Sequence, residues 1–166
     1  MKLRKLELKD LPSRVEWMNH PKVYQSMHFD VPVLLEKTKQ WFDNVKKNPN
    51  RSDVVFEEEG MLVGMGGLTN INRLTGKAEL YVFINPNLQA GGLGTKAVEM
   101  LCRFGFDELK LNKIYLETNE NNYAAIRVYE KCGFLLEGTL REEYLSEEGQ
   151  LLNRLYFGLL KKEFHE

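Results

Sequence analysis

NPNLQAGGLGTKAVEMLCRFGFDELK, residues 85–110, governs how the rest of the chain is laid out, because it joins an apolar strand to a long amphipathic helix through glycines. Upstream, residues 78–84 are apolar or aromatic apart from Glu79, which predicts a strand buried on both faces of a sheet and ended by Asn85 and Pro86. Downstream, Leu93, Ala97, Met100, Leu101 and Phe104 recur at helical spacing, so one stripe turns to a core while Lys96, Glu99, Arg103 and Asp107 turn to water. The helix therefore begins within residues 91–95. Its first N–H groups have no intrahelical acceptor, and the aligned peptide dipoles add partial positive charge there. Gly91, Gly92 and Gly94 carry no side chain that would keep a phosphate from those donors. An ordinary strand-to-helix turn is the plainer alternative, but glycines packed at a helix start cost stability that a plain connection need not lose. Neither the P-loop pattern nor a dinucleotide fingerprint near the chain start is present.

With 166 residues, 43% hydrophobic and 28% charged, the chain is sized for one globular domain, residues 1–166, with a sizeable core. A net charge of −1 gives no general attraction to nucleic acid or to an anionic membrane, and neither is expected as a partner. Lys37, Lys39, Lys46 and Lys47 interleave with Trp41, Phe42 and Val45 as a solvated helix face would. No apolar block reaches the length of a signal peptide or a membrane span. Cys102 and Cys132 fall in predicted helices without disulfide or metal-ligand spacing, so no metal is expected and a reducing cytoplasm is the plain inference. A nucleophilic Cys132 lacks a histidine nearby in sequence.

From the N-terminus, residues 2–9 place Leu3, Leu6 and Leu8 between charges and predict a first strand. Asp10 ahead of Leu11-Pro12 predicts an N-cap for a short helix that breaks at Asn19-His20-Pro21, with another short helix from Lys22. His20 and His28 are minor candidates for substrate contact, against a plainer role as structural hydrogen-bonders. Residues 33–47 predict a longer helix that covers one sheet face. Residues 53–57 and 61–65 flank Glu58-Glu59-Gly60 as a hairpin whose acidic tip is most simply solvated. Gly64, Gly66 and Gly67 inside a strand pattern predict a bulge or a close backbone approach. Residues 77–84 then return antiparallel. Residues 112–118 follow the main helix and should lie parallel to residues 78–84. Asn122 is placed to cap a helix through Ala125, Ile126 and Tyr129 that stops at Gly133, and residues 134–144 and 150–160 form a closing hairpin.

Gln89-Ala90-Gly91-Gly92-Leu93-Gly94 resembles the Q/R-x-x-G-x-G/A signature of the GCN5-related N-acetyltransferase (GNAT) superfamily. Residues 122–134, NYAAIRVYEKCGF, resemble that family's N-x-x-A-x-x-x-Y-x-x-x-G-F segment at the family's separation. The resemblance extends over nearly the whole chain, most closely over residues 79–134, and WMNHP at residues 17–21 is similar to an early segment of the RimJ/RimL-like subgroup. It implies a mixed α/β fold: a mostly antiparallel seven-stranded sheet with a central parallel pair and helices on both faces. It also implies acetyl coenzyme A as co-substrate. The pantetheine arm would lie on Val82, Phe83 and Ile84, the pyrophosphate on Gln89, Gly91, Gly92, Gly94 and Thr95, and Asn122 would reach the cofactor from the other strand. Tyr129, read alone a core aromatic at helical spacing, takes the position of the family's general acid.

Amide formation needs a neutral amine, and a lysine-like ammonium has a pKa of about 10.4, so a base or a water chain must remove a proton near neutral pH. Glu79 is the candidate base, as the ionisable residue in an apolar strand where burial would favour proton uptake. A salt bridge to Lys77 or Arg73 is the equal alternative. The expected activity is direct acetyl transfer to a primary amine of a small-molecule or peptide acceptor: a protein N-terminus, polyamine, amino-sugar nucleotide or amine antibiotic. A non-catalytic acyl-coenzyme A sensor or assembly module is the rival, and a homodimer is left open. Residues 17–21, 27–35 and 140–150 are expected to recognise the acceptor.

Overall fold

The computed structural model describes residues 1–88 and 91–165. In chain order its elements are β1 (Lys2–Lys5), α1 (Leu11–Met18), α2 (Pro21–Met27), α3 (Leu35–Val45), β2 (Ser52–Glu58), β3 (Met61–Asn72), β4 (Lys77–Ile84), α4 (Leu93–Arg103), β5 (Lys113–Asn119), α5 (Tyr123–Lys131), β6 (Leu135–Leu145) and β7 (Leu151–Leu160). The strands form one seven-stranded sheet in the order β1-β2-β3-β4-β5-β7-β6. β4 and β5 are parallel and every other neighbouring pair is antiparallel, which is the mixed sheet expected from the sequence. The α4 crossover makes β4 and β5 parallel, since a strand that returns through a helix on one face re-enters the sheet in the same direction.

Helices cover both faces. On one, Ala97, Val98, Leu101 and Cys102 of α4 pack with Leu80 of β4, Ile114 and Leu116 of β5 and Phe157 of β7. On the other, Leu11 and Trp17 of α1 and Val23 of α2 pack with Val55, Met65 and Phe83 of the sheet. The glycines of β3 are explained by closeness: a Cβ on Gly66 would lie 2.6 Å from the Tyr81 carbonyl oxygen. Pairing steps from Phe56↔Gly64 to Glu57↔Leu62, so Val63 is the extra residue of a bulge beside Gly64.

Three local expectations change. The first strand stops at Lys5 instead of reaching Lys9, because Asp10 draws the chain into a turn, accepting from both Arg4 Nη atoms and from the Glu7 N–H, each at 2.8 Å. For the same reason Asp10 makes no side-chain cap on α1. The main helix changes to a π-helical turn at Phe104–Glu108, where a Cβ on Gly105 would come within 2.8 Å of Ile114 Cδ1. Among the described residues no helix is long and apolar enough to cross a membrane.

Candidate active site

The pairing of β4 with β5 runs from Lys77↔Lys113 to Glu79↔Tyr115 and goes no further, although both strands continue. β3 pairs along β4 as far as Ile84, and β7 along β5 as far as Asn119, so each strand stays tied to its outer neighbour while the inner edges part. A cavity of about 430 Å³ occupies the opening, lined by β4 from Glu79 to Ile84 and by Glu117 and Thr118 of β5. Its lining includes residues from both faces of the sheet. Gly94, Val128 and Tyr129 border it from the α4 and α5 side, and Val23, Met27 and His28 from the α2 side. Backbone groups along a strand edge without a neighbour are unpaired donors and acceptors, the kind of edge onto which an extended amide chain can pair.

On the α4 side, Gly92 is the N-cap with φ 73°, a left-handed conformation that glycine adopts without strain. Among the described residues nothing lies within 4 Å of a Cβ built on Gly91 or Gly92, and on Gly94 the nearest atom is Val128 Cγ2 at 3.7 Å, so these residues leave the helix start open to a ligand. Thr95 follows in the first turn. Gln89 lies outside the described residues. Val82 and Ile84 pack toward the α4 cluster and Phe83 toward the opposite one, as strand alternation requires. Asn122 borders the cavity and caps α5, its Oδ1 accepting from the Ala125 N–H at 3.3 Å.

Tyr129 projects from α5 into the cavity with its ring near Phe134 and Phe157, centroids 5.9 and 6.4 Å apart. Burial pushes its phenol up to about 12. Burial likewise pushes the Cys132 thiol up to about 12, so a thiolate is scarce there at neutral pH, and Cys132 Sγ is engaged at 3.8 Å with the Thr95 carbonyl.

The α2 side is polar. Glu79 stands where β4 and β5 part, and its Oε2 accepts from Asn70 Nδ2 at 2.7 Å. Among the described residues it makes no ion pair with Lys77 or Arg73: Lys77 Nζ sits 5.1 Å from the Tyr115 ring centre and Arg73 donates to the Pro49 carbonyl. Glu117 lines the same cavity and pairs with Arg154 of β7 at 3.1 Å. His28 Nε2 donates to Asn119 Oδ1 at 2.6 Å, and its ring meets Tyr144 edge-on at 4.1 Å. Burial, with Arg154 nearby, holds His28 below its ordinary pKa and favours the neutral imidazole. His20 instead caps α2, accepting from the Lys22 N–H.

Glu117 and Arg154 were missed in the sequence. Glu117 is the polar member of an alternating strand, and only the insertion of β7 between β5 and β6 sets Arg154 against it. Of the regions expected to meet the acceptor, residues 27–35 reach the cavity through Met27 and His28; no residue of 17–21 or 140–150 is in the described lining, although Tyr144 packs on His28.

A family profile described as acetyltransferase (GNAT) domain matches residues 1–135. The spermidine N(1)-acetyltransferase of Escherichia coli (strain K12) is 29% identical over 164 residues, covering 99% of this chain and 88% of that protein. The spermidine N(1)-acetyltransferase of Vibrio cholerae serotype O1 is 31% identical over 157 residues, covering 93% of this chain and 90% of that protein. A crystal structure of the spermidine N-acetyltransferase from Vibrio cholerae, in complex with CoA and spermine, superposes with a TM-score of 0.92 at 24% identity, covering 98% of this chain and 96% of that one, and shares its fold.

Proposed function

The chain belongs to the acetyltransferase (GNAT) domain family and is an acetyl coenzyme A-dependent N-acetyltransferase, and on that basis we propose that donor and amine meet from opposite faces of the sheet through the opening between β4 and β5. The observation that carries the proposal is the ladder that stops at Glu79↔Tyr115 beside a cavity lined from both faces of the sheet. Acetyl coenzyme A supplies an activated thioester. The strand edge at Val82, Phe83 and Ile84 suits the amides of its arm. The open helix start at Gly91, Gly92, Gly94 and Thr95 suits its pyrophosphate, and Asn122 borders the same cavity; a Gln89 contact with the pyrophosphate is carried by the family resemblance alone.

On the acceptor side Glu79 removes the ammonium proton, with Glu117 and the neutral His28 as further polar groups around the amine. Transfer is direct, since the Cys132 thiol is buried, engaged and poorly ionised. Tyr129 faces the departing sulfur. A phenol at about 12 holds its proton more tightly than a thiol of pKa about 8.5, so its first contribution is a hydrogen bond to the developing thiolate, ahead of full proton transfer.

For the acceptor we favour a small primary amine, with a polyamine first: the two relatives described above are spermidine N(1)-acetyltransferases, and Glu79 and Glu117 offer carboxylates to a polycation. A RimJ/RimL-like preference for a protein N-terminus is the other outcome to be scored. The compartment proposed is the cytoplasm, in keeping with two free, buried cysteines. Release of coenzyme A thiol is to be measured with spermidine, a peptide with a free N-terminus and an amino sugar. Acceptor-dependent release with spermidine is expected; release with the peptide alone would transfer the protein to the other subgroup, and none with any amine would leave a binding module.

A further inference from the structure

Arg14 of α1 is only 6% exposed, yet among the described residues its guanidinium makes neither a hydrogen bond nor an ion pair, and its Nη1 is buried without an acceptor. It lies instead against aromatic faces, with Cζ 4.5 Å from the ring centre of Trp41, 5.5 Å from Phe83 and 5.7 Å from Tyr81. Arg51 lies against the same Trp41 ring at 5.1 Å, but its charge is matched: it donates to both oxygens of Asp53 at 2.7 and 2.9 Å, and the Tyr81 hydroxyl donates to that carboxylate too. The cluster therefore holds one cation more than it holds anions. Ring faces offset part of the cost of burying a guanidinium, but they leave its in-plane N–H donors unused. A buried charge without a hydrogen-bonded counter-ion is rare in proteins because desolvation disfavours it strongly.

Arg14 and Arg51 also line a second cavity, of about 250 Å³. Met27, Tyr81 and Phe83 form a wall shared between it and the transfer cavity. We infer that this second cavity seats an anionic group of a small molecule, a carboxylate or a phosphate, with Arg14 as its charged partner. The group belongs either to an anion-bearing amine acceptor in place of a polyamine, whose amine then reaches across the shared wall, or to a separate small anion. The first source rests on the acetyl-transfer proposal; the second does not.

Inorganic phosphate is titrated calorimetrically into the full chain saturated with coenzyme A, so that the helix start of α4 is occupied. Phosphate should bind the parent protein. A hydrogen bond to a charged group is worth roughly 1.5–3 kcal/mol, so Arg14→Gln should weaken phosphate at least about tenfold. Arg14→Lys should retain part of the affinity, and coenzyme A affinity should be the same in all three proteins. An acceptor-borne anion predicts that phosphate competes with the amine and that phosphoethanolamine has a KM at least about tenfold below that of ethanolamine. A separate anion predicts binding without competition and equal KM values for the two amines. Failure of phosphate to bind the parent, or equal binding to Arg14→Gln, overturns the inference. Should Arg14→Gln not fold, the parent titration and Arg14→Lys decide it, with unchanged affinity in the latter counting against Arg14's planar fork. Thiol release with no amine at all would sink the enzymatic proposal while the phosphate titration still answers this one.

Discussion

Tyr129 is the residue at which packing and chemistry are most easily separated, because it lines the cavity and its ring fills space beside Phe134 and Phe157, a packing role that does not need the hydroxyl. Tyr129→Phe keeps the ring. Turnover should fall by about 10²- to 10⁴-fold, with acetyl coenzyme A affinity and melting temperature nearly unchanged. A phenol raised to about 12 stays protonated throughout the neutral range, so the loss should be the same from mildly acidic to mildly alkaline pH. Full activity in Tyr129→Phe would hand the role to water. Glu79 calls for the opposite profile. Its hydrogen bond from Asn70 fixes the carboxylate where the strands part, and Glu79→Gln should cost most at mildly acidic pH, where unassisted neutral amine is scarcest. A loss by one constant factor across pH would show that Glu79 positions the acceptor and does not take its proton.

The start of α4 can be tested as a unit. Gly92 adopts φ 73°, so any side chain there strains the backbone as well as meeting the ligand, and a result at Gly92 mixes two causes. Gly94 sits inside the helix, and a Cβ there would meet its nearest foreign atom at 3.7 Å, an ordinary contact, so a side chain is accommodated by the fold. Gly94→Glu should therefore leave thermal stability close to that of the parent while placing negative charge where the helix start favours anions. Calorimetry should find acetyl coenzyme A binding lost. Undiminished affinity would remove the pyrophosphate from this loop.

Over the whole molecule, the parted strands are a gap in an otherwise continuous sheet, and a ligand that pairs with both edges should close it. Acetyl coenzyme A at a hundredfold excess over its Kd should add about 2.7 kcal/mol of stability. Hydrogen-exchange protection should rise along Leu80–Ile84 and Leu116–Asn119 more than along β1 or β2, and uniform protection over all strands would argue against binding in the opening. The apolar run that makes β4 a strand, the stripe and glycines that begin α4, the bulge in β3 and the Asn122 cap were all legible in the chain, because periodicity, helix ends and turn chemistry are local and written within a few residues. The two motifs that resemble the family were legible for the same reason. Assembly of the fold was needed to turn Asp10 to Arg4 instead of the start of α1, to bring β7 between β5 and β6 so that Arg154 meets Glu117, and to bury Arg14 among rings with no acidic partner among the described residues. Those outcomes depend on which distant side chains share a volume once the sheet is assembled, and no spacing along the chain encodes a partner that far away.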